Sequence, residues 1–145
     1  MRWSATEKNL LFDNEYARPV VRITSSNMTI AEFRKMALEI PSSVERSHMN
    51  HPDFRVAGKI FASLGVPKEN WGMVKLTLEQ QRIFIEKAPE VFRPSSGAWG
   101  RQGYTNVYLP AAKAAIVRAA LDAAAKNVAS HSKEKIRSDR RSRRP

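Results

Sequence analysis

Apolar residues at Ile30, Phe33, Ala37 and Ile40 recur on one helical face, while Glu32, Arg34, Lys35 and Glu39 take the rest and Pro41 stops the run. Thr29, with Glu32 three residues on, supplies a capping box, so a helix is predicted to start there. The period changes after Val44. Phe54 and Val56 share one face of a strand with Arg55 on the other, and Ala57-Gly58 suits a two-residue turn into Lys59-Ile60-Phe61-Ala62. This predicts a β-hairpin, with Val44 to Met49 as a candidate preceding strand, Gly65 to Asn70 as a loop and Met73 to Leu76 as a short strand. Thr77-Leu78-Glu79-Gln80 repeats the capping pattern, and Leu78, Phe84, Ile85 and Ala88 then fall on one face before Pro89. Val91 to Gly103, rich in Pro, Ser and Gly, reads as a long irregular loop, after which Tyr104 to Leu109 alternates as a half-buried strand. Pro110 suits the first turn of a final helix over roughly Ala111 to Ala129. That helix would bury Val117, Leu121, Ala124 and Val128 and carry Arg118-Asp122 and Asp122-Lys126 pairs outside. The order α, several β, α, β, α predicts an α+β fold, an antiparallel β-sheet with helices packed on one face.

The pattern also marks boundaries. Residues 1–28 hold scattered apolar groups (Leu10, Leu11, Phe12, Val20, Val21) without a sustained period and read as an N-terminal extension; residues 29–130 form the domain. Residues 131–145, HSKEKIRSDRRSRRP, have one large apolar residue, Ile136, too few to offset the entropy of ordering, and are predicted to be a disordered basic tail. A chain of 145 residues with 42% hydrophobic composition suits a single core. Without cysteine there is no disulfide, thiolate nucleophile or cysteine-ligated metal. Apolar stretches fall short of the roughly 18 residues a membrane span needs, and charges interrupt the N-terminus where a signal peptide has its apolar centre, so no membrane association and a cytoplasmic location are expected. The net charge of +11 is what most changes the picture, because a cationic surface attracts phosphate backbones by counterion release. Seven Lys/Arg against two acids lie in the tail and eighteen against twelve in the remainder, so the body is cationic without the tail.

Three constellations can carry chemistry. His48, His51 and Asp53 match no common zinc spacing, and on a regular strand the two histidines would point to opposite sides. They are read as capping the strand entry, and no metal is expected. In Arg93-Pro94-Ser95-Ser96-Gly97-Ala98-Trp99-Gly100-Arg101-Gln102-Gly103-Tyr104, guanidinium and aromatic groups can grip phosphate and stack on a base or sugar. The same glycines can equally let Trp99 fold back onto the core with Arg101 paired to a carboxylate. The hairpin sets Arg55 outward with Lys59 across the turn, joined by Arg46 and Lys75, as a ribbon suited to the major groove; solvent-facing strand positions are also commonly charged for no such reason. The tail residues Lys133, Lys135, Arg137, Arg140, Arg141, Arg143 and Arg144 bind polyanions without sequence choice, or keep the chain soluble. The glycine-containing loop runs from a helix into a strand, the reverse of a phosphate-cradling loop, and neither a nucleophile elbow nor a diagnostic carboxylate pair is present. No catalytic residue and no cofactor are therefore expected.

The segments His51-Pro52-Asp53-Phe54-Arg55-Val56-Ala57-Gly58-Lys59-Ile60-Phe61-Ala62, Val74-Lys75-Leu76-Thr77 and Gly97-Ala98-Trp99-Gly100-Arg101-Gln102-Gly103-Tyr104-Thr105 agree in order and spacing with one known family. From about Thr29 to about Ala129 the chain resembles the MmcQ/YjbR family. The resemblance implies a compact fold like that of type III secretion chaperones and a DNA-binding role, proposed for the family from a double-wing arrangement of its β elements. It brings no catalytic residues. The expected function is non-enzymatic DNA binding through Arg46, Arg55, Lys59, Lys75, Arg93, Trp99, Arg101 and Tyr104. The alternative is a protein-interaction or chaperone-like adaptor, taking a protein partner or a second copy as a homodimer. A contiguous basic face favours the first and an exposed apolar patch the second.

Overall fold

The computed structural model describes residues 28–143; the predicted extension up to residue 27 and the last two residues of the tail lie outside the described residues. Helix α1 (Ile30–Leu38) begins where the Thr29 hydroxyl accepts the Glu32 N–H at 3.1 Å. It buries Phe33, Met36 and Ala37, with Ile30 and Ile40 packed at the margin. Helix α2 (Leu78–Lys87) opens on a complete capping box, Thr77 and Gln80 each satisfying the other's backbone N–H. Its predicted stripe needs correction, since Leu78 is exposed and the buried side chain is Gln81.

Six strands, β1 (Val44–His48), β2 (His51–Val56), β3 (Lys59–Leu64), β4 (Trp71–Lys75), β5 (Phe92–Pro94) and β6 (Tyr104–Tyr108), form one antiparallel sheet in the order β1-β2-β3-β4-β6-β5. The predicted Ala57-Gly58 turn is present with φ of 54° and 78°, and Met49-Asn50 makes a second such turn at 51° and 66°. Two successive positive φ values give the turn the twist of its strands. Between β2 and β3 the register moves from Phe54↔Ala62 to Arg55↔Ile60, so Phe61 is the extra residue of a bulge, and both Phe61 and Ala62 are buried.

Val91 to Gly103 is not an irregular loop. Ladder bonds with β6 make part of it β5, extended by Tyr108 N–H to Val91 O (2.7 Å) and Ser95 N–H to Tyr104 O (2.9 Å), and the rest holds the short helix α3 (Ala98–Arg101). Pro94 is accommodated because β5 is an edge strand. Pro110 lies in a 3-10 turn, Leu109–Ala111, so the last helix, α4 (Ala114–Ser142), begins later than predicted. It also ends later: the segment predicted to be disordered continues α4 through Ser142. Lys, Glu, Ser and Arg can propagate a helix whose nucleus is already held by packing upstream, and the basic residues of the last turn oppose the helix dipole. The last buried residue of α4 is Val128.

Helices α1 and α4 cover one face of the sheet, where Phe33, Val117, Leu121 and Ala124 meet Phe54, Phe61, Leu64, Val74 and Val107. Helix α2 closes the far end, its Phe84 ring 5.2 Å from Phe92. Among the described residues no helix is long and apolar enough to cross a membrane.

Candidate nucleic-acid interface

Strand alternation sends Gly72, Val74, Thr105 and Val107 into the core and sets Trp71, Met73, Lys75, Tyr104, Asn106 and Tyr108 on the opposite face. Cross-strand pairing carries that face across the sheet: Arg46 stands opposite Asp53, Asp53 opposite Ser63, Ser63 opposite Met73, Met73 opposite Asn106, and Asn106 opposite Arg93. One side-chain row thus spans all six strands with an arginine at each edge.

Two aromatic and cationic stacks stand on this open face. The Lys75 ammonium lies 4.3 Å above the Tyr104 ring, and Trp99 meets Tyr104 edge to face at 4.9 Å. Arg93 lies 5.4 Å from the Trp71 ring, itself 4.9 Å from Tyr108. The Trp99 side chain therefore stands out rather than folding into the core, and it remains 60% exposed.

Arg55, Lys59, Lys75 and Tyr104 converge on a groove of about 790 Å³ between the end of the sheet and α4, whose far wall includes Asn127, Ser130 and His131; Glu134 is the acid in its lining. Asn127 fixes this wall by donating to Lys75 O (3.2 Å) and Gln80 Oε1 (2.8 Å). Next to it, on the open face, a concavity of about 510 Å³ is lined by His48, Met49, His51, Asp53, Ser63, Val66, Met73, Trp99 and Asn106, among others. Ile60 and Tyr104 line both hollows and form the ridge between them.

His48 and His51 do not point to opposite sides as predicted. The Met49-Asn50 turn reverses the chain, so the two are direct cross-strand partners at the rim of the concavity. Asp53 is 2% exposed and receives Arg55 Nε at 2.7 Å and Nη2 at 3.1 Å; that bidentate contact raises the Arg55 pKa. Arg55 is thus partly covered and paired, which corrects the expectation of a freely outward guanidinium.

The loop carrying Trp99 is fixed from beneath. Buried Gln81 directs its amide nitrogen to Gly100 O, Tyr104 O and the Thr105 hydroxyl, each at 3.1 Å. Gly103 has φ +101°, and a Cβ there would overlap the Leu76 carbonyl oxygen; a Cβ on Gly100 would overlap Ser95 O.

Of the sequence-predicted residues, Arg55, Lys59, Lys75 and Tyr104 share the groove and Trp99 joins them through Tyr104. Arg46 and Arg93 lie on the same face at opposite edges, while exposed Arg101 lines neither hollow. Sequence reasoning missed Trp71, Met73, Asn106 and Asn127; the alternation in Trp71-Gly72-Met73-Val74-Lys75 was the available signal for the first two.

No family model and no curated protein matches the sequence. The structure is similar to the crystal structure of Deinococcus radiodurans protein DR2400, with a TM-score of 0.57 and 15% identity over 69% of this chain and 77% of that one. DR2400 carries a DUF419 domain, the domain of the MmcQ/YjbR-like proteins. At this identity the likeness establishes the α+β fold.

Proposed function

We propose that this chain is a non-enzymatic DNA-binding protein of the MmcQ/YjbR type that grips the phosphate backbone along the groove between its sheet and α4. The observation that carries this reading is the convergence of Arg55, Lys59 and Lys75 beside Tyr104 in a groove whose other wall is the start of the cationic part of α4. That part goes on to carry Lys133, Lys135, Arg137, Arg140 and Arg141. Separated cations along one track suit a polyanion, and each phosphate neutralised steepens the fall of affinity with salt by about 0.9 in log-log slope. Because Arg55 is tied to Asp53, it contributes less to binding than Lys59 and Lys75 do. The adaptor alternative is favoured by one observation, the exposed Met49, Val66 and Trp99 around the concavity.

Binding to random duplex DNA at several salt concentrations tests the reading, comparing the full chain, a chain ending at Ser130 and a Lys59→Ala/Lys75→Ala variant. The shortened chain is expected to bind with a shallower salt slope, and the double variant to bind more weakly than the full chain while remaining folded by circular dichroism. Loss of all binding with the end of α4 would sink the proposal for the domain and favour the adaptor.

A further inference from the structure

The concavity beside the groove contains much that phosphate binding does not use. Among the described residues, the two most exposed large apolar side chains, Met49 at 80% and Trp99 at 60%, line it together with exposed Val66. A solvated charged face has no need of such residues, and their gathering at one hollow marks a surface that a ligand covers. Its floor is polar and set in place: Ser63 and Asn106 stand on the row that crosses the sheet, and the Ser95 hydroxyl donates to Asn106 Oδ1 at 2.8 Å, leaving the Asn106 NH₂ to donate elsewhere. Asp53, the acid in the lining, is already held by Arg55, so the hollow does not present a free carboxylate to an incoming π system. Its volume of about 510 Å³ falls in the range of ligand pockets.

Resting on the nucleic-acid reading above, we infer that this concavity seats an unpaired base of a single DNA strand whose phosphates lie in the adjoining groove. The two hollows share the Ile60 and Tyr104 ridge, as a base and its own backbone require. Trp99, edge-on to Tyr104 and largely exposed, offers a stacking face; Met49, Met73 and Val66 give apolar contact; Ser63, Ser96 and Asn106 can meet the base edge. A base inside a duplex has its faces covered by its neighbours and cannot enter, so the seat selects unpaired strand.

The test measures, by fluorescence anisotropy with the full chain, binding of three ligands at matched phosphate count: an oligothymidylate of about a dozen nucleotides, an abasic phosphodiester strand, and a duplex. The oligothymidylate is expected to bind about tenfold or more tighter than the abasic strand. Trp99→Ala should bring the two within about twofold without changing the salt slope, whereas Trp99→Phe keeps most of the preference. Met49→Asn, placed at an exposed turn whose positive φ asparagine tolerates, should reduce the preference in part and controls for any folding defect of the Trp99 variants. Equal, salt-dependent binding of all three ligands overturns the base seat and leaves phosphate binding standing. A preference that survives both Trp99→Ala and Met49→Asn also overturns it, and failure of every ligand to bind overturns both readings.

Discussion

The helix-covered and open sides of the sheet hold their charges in opposite ways. On the covered side three cations are matched to acids: Arg34 lies 3.2 Å from Glu45, Arg118 2.9 Å from Glu39, and Lys126 3.5 Å from Asp122. Such solvent-screened pairs add little to stability, but they offset the local field. On the open side Arg46, Lys75 and Arg93 have no ion pair among the described residues, and the acid on that face, Asp53, is held by Arg55. Unpaired cations thus stand on the open surface and continue along the end of α4. Which cations matter for a polyanion is decided by the pairing of the acids rather than by the count of lysines and arginines.

The comparison breaks most completely if the wall of the open face is lost. Gly103→Ala forces a side chain against the Leu76 carbonyl at a φ that L-residues rarely adopt, and is expected to lower stability by about 3 kcal/mol or more, read as a shift of the urea midpoint. Gln81→Leu removes the donor from the buried Gly100 and Tyr104 carbonyls and should cost about 1–3 kcal/mol by the same measurement. Asp53→Asn sharpens the contrast: stability falls by about 1–2 kcal/mol, while the freed Arg55 adds a cation to the groove, so DNA affinity at low salt rises and the salt slope steepens by up to about 0.9. The smallest effect belongs to the covered side. The hydrogen bond from Arg118 holds the Glu39 carboxyl below its usual value. A depressed folded-state value stabilises above the unfolded pKa and is lost as pH falls through the folded one, so Glu39→Gln should differ slightly from the parent at neutral pH, match it in acid, and leave DNA binding unchanged.

Much of this frame is legible along the chain because its signals are local. The Thr29 and Thr77 caps, the Ala57-Gly58 turn, the alternation of Tyr104 to Tyr108 and the apolar stripe of α4 each lie within a few residues of what they specify. Strand β5 escaped because its partner β6 supplies the ladder from beyond an intervening helix, and Gln81 because three acceptors far along the chain satisfy a side chain that otherwise avoids burial. The Met49-Asn50 turn lacks the usual glycine, which hid the face shared by His48 and His51. The Arg55 pairing was within reach, since residues two apart on a strand share a face, and Asp53 is the opposite charge at that spacing. The groove was not, because it exists only where α4 crosses the end of β4.

From Ser130 to Ser142, α4 advances about 18 Å at 1.5 Å per residue, more than twice the screening length of about 8 Å at physiological ionic strength. The cations near its end thus lie beyond the screening range of those in the groove, with Lys133, Lys135 and Arg137 spaced between them. On the DNA-binding reading proposed above, an oligonucleotide too short to span that separation engages part of the track, whereas a longer strand reaches its far end as well, so affinity should climb with ligand length up to the span and level off beyond it.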